Sequence, residues 1–134
     1  MKGYKWVHVN GLGQRVSWDA QDTLLEVVYS TEEYAEAPDF AAKYGHHLTF
    51  FDTEKNAREF LEKPYPNDEL WEIEAEGIID KLPPRFCVAL FNTVSELEKY
   101  MRKKRPADWA NWPPGTLMAK RIKLVRRIWP PEED

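Results

Sequence analysis

Apolar and polar positions change period twice between Gly45 and Ile79, which divides this stretch into strand, helix and strand. His47–Phe51 is a short aromatic run closed by Asp52 and Thr53. Either residue can cap a helix by accepting an orphan backbone N–H. Ala57, Phe60 and Leu61 then recur at i, i+3 and i+4, one apolar stripe of a helix. Glu54/Arg58 and Glu59/Lys63 stand at i, i+4 in the favoured acid-first order, as on a solvated face. Pro64 and Pro66 end the helix, since the residue before a proline disfavours helical geometry. From Glu69 the period is two: Trp71, Ile73, Ala75, Gly77 and Ile79 share one face, and Glu72, Glu74 and Glu76 the other.

The same reading extends to both ends of the chain. Tyr4–Val9 and Gln14–Trp18 flank NGLG, which carries the Asn-Gly signal of a hairpin. Leu24–Tyr29 is a third strand candidate, rich in β-branched residues. Ser30 with Glu33 fits a capping box opening a short helix that Pro38 breaks. Asp39 restarts a helix over FAAKY, ended by Gly45 in the left-handed position. Arg85–Phe91 holds six consecutive apolar residues, as in a strand covered on both faces. Ser95 with Glu98 is a second capping box, opening a helix over Glu96–Lys104 with Leu97, Tyr100 and Met101 inward. After an irregular loop, RPADWANWPPG, the chain ends in a strand over Thr116–Trp129 and a frayed tail, residues 130–134. These elements predict one α+β domain over residues 1–134: a mixed, largely antiparallel sheet with about three helices packed on it.

Composition narrows the class without naming an activity. No apolar run approaches a bilayer span and no signal-peptide core opens the chain, so a soluble cytoplasmic protein with no membrane role is expected. The single cysteine, Cys87, rules out internal disulfides and reads as a buried thiol. Few glutamines and ten prolines hint at a thermophilic source. The net charge of −4 hides an uneven distribution. Residues 19–80 carry seventeen acids against four bases, whereas residues 99–127 carry ten bases against one acid. Either the two regions attract each other across the fold, or they meet between two copies of the chain.

Candidate chemistry is sparse. His46 and His47 are adjacent on a strand and so point to opposite faces, and no C-x-x-C or H-x-x-x-H spacing supplies further ligands; no metal is expected. Glu72, Glu74 and Glu76 form a line along a strand, not the converging oxygen set that a hard cation needs. No P-loop, G-x-G-x-x-G or nucleophile–base spacing occurs, so no cofactor is expected. The basic quarter offers Arg102, Lys103, Lys104 and Arg105, then Lys120, Arg121, Lys123, Arg126 and Arg127, with Trp109 and Trp112 between. Cations beside exposed aromatics suit single-stranded nucleic acid, although an isoelectric point near 5.5 opposes long-range steering.

Two resemblances add expectations. His8, Tyr29 and a glutamate of the 72–76 row, Glu74 at its centre, resemble the histidine–tyrosine–glutamate constellation of the ADP-ribosyltransferase fold. That resemblance implies a small NAD-using transferase. YKWVHV, GQRVSW, EVVY, Ala37-Pro38, GHHLTFFDTEKNAREF and LWEIEAEG together resemble a class of small prokaryotic and viral proteins with no assigned activity. This second likeness implies a stand-alone accessory protein, encoded by a virus or mobile element and acting in the host cytoplasm. The leading expectation is therefore a non-catalytic protein whose partner is another protein or a second copy of itself. Nucleic-acid binding through the basic quarter is the alternative, and the transferase the third.

Overall fold

A computed structural model of the chain describes residues 1–18, 20, 23–83, 92–102 and 112–131. Within them lie β1 (Lys2–Val9), β2 (Arg15–Ser17), β3 (Val28–Tyr29), β4 (Ala35–Glu36), α1 (Asp39–Ala42), β5 (Leu48–Phe51), α2 (Glu54–Phe60), β6 (Asp68–Ile78), α3 (Val94–Arg102) and β7 (Thr116–Trp129). The α+β class and the largely antiparallel sheet are as the sequence predicts: all seven described strands join one sheet, and every pairing is antiparallel. No helix among the described residues is long and apolar enough to cross a membrane.

The sheet rolls up until it meets itself. β6 pairs along one edge with β1 and along the other with β7. The far edges of β1 and β7 then meet through β5, which pairs with Phe51 opposite Tyr4 on β1 and with residues 48–51 opposite 119–116 on β7. A second bridge runs parallel to the first. β2 pairs with β1 at Val7–Val9, β3 with β2, and β4 with β7 at Arg121–Ile122; the Leu124 N–H donates to the Ser30 carbonyl at 2.9 Å. The wall facing β6 is thus built in two halves, β5 at one end and β2–β3–β4 at the other. Two register shifts in the β6–β7 ladder, between Leu70/Trp71 and between Glu72/Ile73, bend the long strands as bulges do.

The rolled sheet gives its longer strands two apolar environments. Val7, Tyr29, Leu48, Phe50, Trp71, Ile73, Ile122 and Leu124 fill the inside. Trp6, Phe51 and Leu70 face out, where Ala57 and Phe60 of α2 cover them together with Trp18 and Trp129. The wall is tight at Gly3: a Cβ there would run into the ring of Phe50. Burying such side chains is worth roughly 1.5–3 kcal/mol each, so these two clusters are the main source of stability.

Several local expectations are corrected. No helix follows Ser30. Its hydroxyl accepts from the Glu33 N–H at 3.1 Å as the capping box requires, but Ala35 and Glu36 then pair with Ile122 and Arg121 as β4. A ladder partner within reach outweighs a one-turn helix that Pro38 would stop. The Leu24–Tyr29 strand shrinks to Val28–Tyr29. α3 starts one residue before Ser95, with Thr93 as its cap: the Thr93 hydroxyl accepts from the Glu96 N–H at 3.2 Å, and the Glu96 carboxylate accepts from the Asn92 N–H at 3.3 Å. α2 is capped by Thr53, one of the two residues named for it, but ends at Phe60, short of Pro64. The strand expected over Arg85–Phe91, with Cys87, lies outside the described residues.

Candidate functional site

β1 changes neighbours in its middle. On the edge away from β6 its ladder partner is Phe51 of β5 at Tyr4 and Ser17 of β2 at Val7, so Lys5 and Trp6 lie at the slit between the two half-walls. Period two sends Lys5 inward with Val7, and Lys5 stands opposite Trp71 of β6. Only 5 % of Lys5 is exposed. Its ammonium donates to the Thr49 carbonyl of β5 at 2.5 Å and sits 5.1 Å from the centre of the Tyr29 ring of β3. A side chain from β1 therefore ties both half-walls together where no backbone ladder joins them. Among the described residues no carboxylate pairs with this ammonium.

Over the slit lies a small recess, partly open to solvent. Its lining mixes inward side chains, Lys5 and Phe50, with outward ones, Trp6 and Phe51. Such a mixture arises only where the wall is interrupted. Trp18, Phe60 of α2 and Trp112 complete the rim. The rings hold one another edge-on: Trp18 packs on Phe60 at 5.5 Å and 81°, and Phe51 on Phe60 at 5.3 Å. The Trp6 Nε1–H donates to the Ala57 carbonyl at 2.7 Å, and the Trp112 Nε1–H to the Pro83 carbonyl at 2.8 Å. These bonds fix the indoles, and the recess is held open by rigid groups. Rings of this kind offer flat apolar faces, and Lys5 offers a cation at the floor.

A second polar group lies inside the roll. The Glu69 carboxylate accepts from Arg15 Nε at 2.7 Å, from Trp71 Nε1 at 3.0 Å and from Arg127 at 3.4 Å. The Arg15 guanidinium also stacks 5.0 Å over the Trp71 ring. Burial pushes the Glu69 carboxyl up, but the donors from Trp71, Arg15 and Arg127 prevail and hold it below its ordinary range. This cluster pins β2 and β7 to β6, and it leaves one buried donor, Arg127 Nε, without a hydrogen-bond partner among the described residues.

The residues singled out from sequence disperse. His8 faces outward beside Asp68 at 3.2 Å, Tyr29 is buried inside, and Glu74 lies outside against the N-terminal ammonium at 2.8 Å. In the ladder His8 pairs with Asp68 and Glu74 with Lys2, six residues apart along β1, or about 20 Å. The three are not brought together. Arg121 pairs with Glu76 at 3.6 Å, Arg126 with Glu72 at 3.4 Å, and Arg127 with Glu69. Lys123 lies 4.9 Å over the Tyr34 ring, and Lys120 is exposed. Arg102 is held by Glu98 at 3.0 Å and the Tyr44 hydroxyl at 3.2 Å. Lys103, Lys104, Arg105 and Trp109 lie outside the described residues. The acidic and basic regions thus meet within one chain, across the β6–β7 ladder. Burial, and the neighbouring His47, lower His46 to about 4; burial and Lys120 lower His47 as well. Among the described residues no cluster of three or more His, Cys, Asp or Glu could hold a metal.

Of the groups that shape the recess, Trp112 alone stood out in the sequence. Lys5 is legible in YKWVHV, where period two groups it with Val7, but only the Val7 side of that pattern identifies which face is inside. Comparison with known proteins returns nothing: no family model, no curated protein and no solved structure matches the chain.

Proposed function

We propose that the chain is a non-catalytic binding protein whose working surface is the recess over the β1 slit, where it holds a flat ring. The observation that carries this reading is the meeting of Trp6, Trp18, Phe51, Phe60 and Trp112 at a break in the sheet wall. Small-ligand sites are concave, mostly apolar and few, with a small number of placed polar groups; the recess fits that description. The charge asymmetry that favoured a protein partner, a homodimer or nucleic acid finds its counterpart inside the chain, in the Glu72–Arg126 and Glu76–Arg121 pairs. Titrating ¹⁵N-labelled protein with indole-3-carboxamide, a neutral flat ring, tests the proposal. Shifts confined to the Trp6 and Trp18 indoles and the amides of Thr49 and Phe60 are expected. Absence of shifts up to millimolar ligand, or shifts spread over the exposed Leu12, Val28 and Tyr65, would overturn it.

A further inference from the structure

We infer that the ligand of this recess is a small aromatic anion, a one- or two-ring system carrying a carboxylate that reaches the Lys5 ammonium. The inference rests on the recess being a ring site, and adds what the ring must carry.

The argument turns on an unbalanced charge. Lysine is almost never fully buried unless paired, because an isolated ammonium loses far more hydration than one neutral acceptor restores. Lys5 is 5 % exposed, yet among the described residues its ammonium meets a backbone carbonyl and the face of a tyrosine ring, with no carboxylate. The carbonyl occupies one of three ammonium hydrogens. Arg15 and Arg127, although each partly exposed, are handled differently: they share the Glu69 carboxylate. A cation with no carboxylate partner among the described residues, at the floor of an opening to solvent, is complementary to an anion that arrives through that opening.

The lining sets the rest of the ligand. Trp6, Trp18, Phe51 and Phe60 present ring faces and edges, with the indole N–H of Trp6 already committed to the Ala57 carbonyl. Aliphatic anions would leave those faces unused, and a polyanion would desolvate charges that one ammonium cannot meet. A monoanionic aromatic acid matches both halves of the site.

The test compares indole-3-carboxylate with indole-3-carboxamide by calorimetry and ¹⁵N NMR on the intact chain, at neutral pH. The two share the same rings and differ in charge. One carboxylate is expected to bind per chain, about tenfold or more tighter than the amide, since charge-assisted hydrogen bonds in a desolvated site are roughly twice as strong as neutral ones. Lys5→Met should weaken the carboxylate about tenfold or more and weaken the amide much less, closing the gap between the two. Phe60→Ala should weaken both ligands alike. Equal affinities for acid and amide on the wild-type chain would overturn the anion assignment while leaving the ring site standing. Failure of both to bind would remove the ring site itself. The wild-type comparison decides the matter even if Lys5→Met does not fold.

Discussion

Glu69→Gln is the sharpest probe of how the rolled sheet is held. The substitution keeps the shape and one acceptor oxygen, but removes the negative charge between Arg15 at 2.7 Å and Arg127 at 3.4 Å. The Glu69 side chain is 9 % exposed, whereas Arg15 and Arg127 retain 35 % and 24 %. Removing one partner of a fully buried ion pair costs about 3–5 kcal/mol, because the other charge is stranded. Partial exposure of both arginines places this case at the lower end, near 3 kcal/mol. For a domain of this size that is a fall in Tm of about 10 °C. Urea unfolding at neutral pH, with linear extrapolation, measures the loss directly. The pH dependence has a definite sign. A carboxyl held low in the folded state stabilises above its unfolded value of 4.5 and loses that contribution as pH falls through its folded value. The gap between wild type and variant therefore narrows below about pH 4.5. Replacing all three charges, as Arg15→Met, Glu69→Leu and Arg127→Met together, should recover most of the loss. A single-variant cost under about 1 kcal/mol would refute the reasoning, since it would mean that water already screens the cluster. A triple variant no better than the single would refute it equally.

Three further outcomes are expected. His46 and His47 titrate below their ordinary value when folded, so the unfolded chain takes up protons first, and stability falls as pH drops from 6.5 toward about 4. With His46 partly exposed the loss is of order 2 kcal/mol, and His46→Gln should flatten that part of a stability–pH curve measured by urea. Gly115→Ala should cost about 2 kcal/mol, because Gly115 has φ +80° and a Cβ would press on Asn56 and Asp52; Gly11→Ala, with open space around it, should change the urea midpoint little. Trp6→Phe removes the bond to the Ala57 carbonyl and part of the contact with Trp129 at 6.1 Å. A loss of about 2 kcal/mol is expected, with faster hydrogen exchange in α2 as the local readout.

The parts legible in the sequence are those with local causes. The β1–β2 hairpin follows from NGLG, where the Asn10 side chain accepts from the N–H groups of Leu12 and Gln14, and the Thr53 cap of α2 and the alternation of β6 are local in the same sense. What stayed hidden depends on distant partners. β4 exists because β7 has a free edge at Ile122, not because Ala35 and Glu36 prefer strand. Arg127 reads as an outward residue under strict alternation with Ile122 and Leu124. The register shifts of the β6–β7 ladder set it opposite Trp71, where it meets Glu69. The recess was hidden for the same reason: it is the place where β1 trades β5 for β2, and a single strand does not announce where its neighbours change. The charge imbalance was plain from composition, but pairing β6 with β7 decides that it is met within the chain.

The most direct test of the binding-site account is where a bound aromatic acid lies. Isotope-filtered NOEs between indole-3-carboxylate and the labelled chain should connect the ring protons to Trp18 and Phe60, with the side-chain methylenes of Lys5 close to the carboxylate end. Contacts instead to exposed apolar side chains such as Leu12, Tyr65 or Val125 would contradict the account.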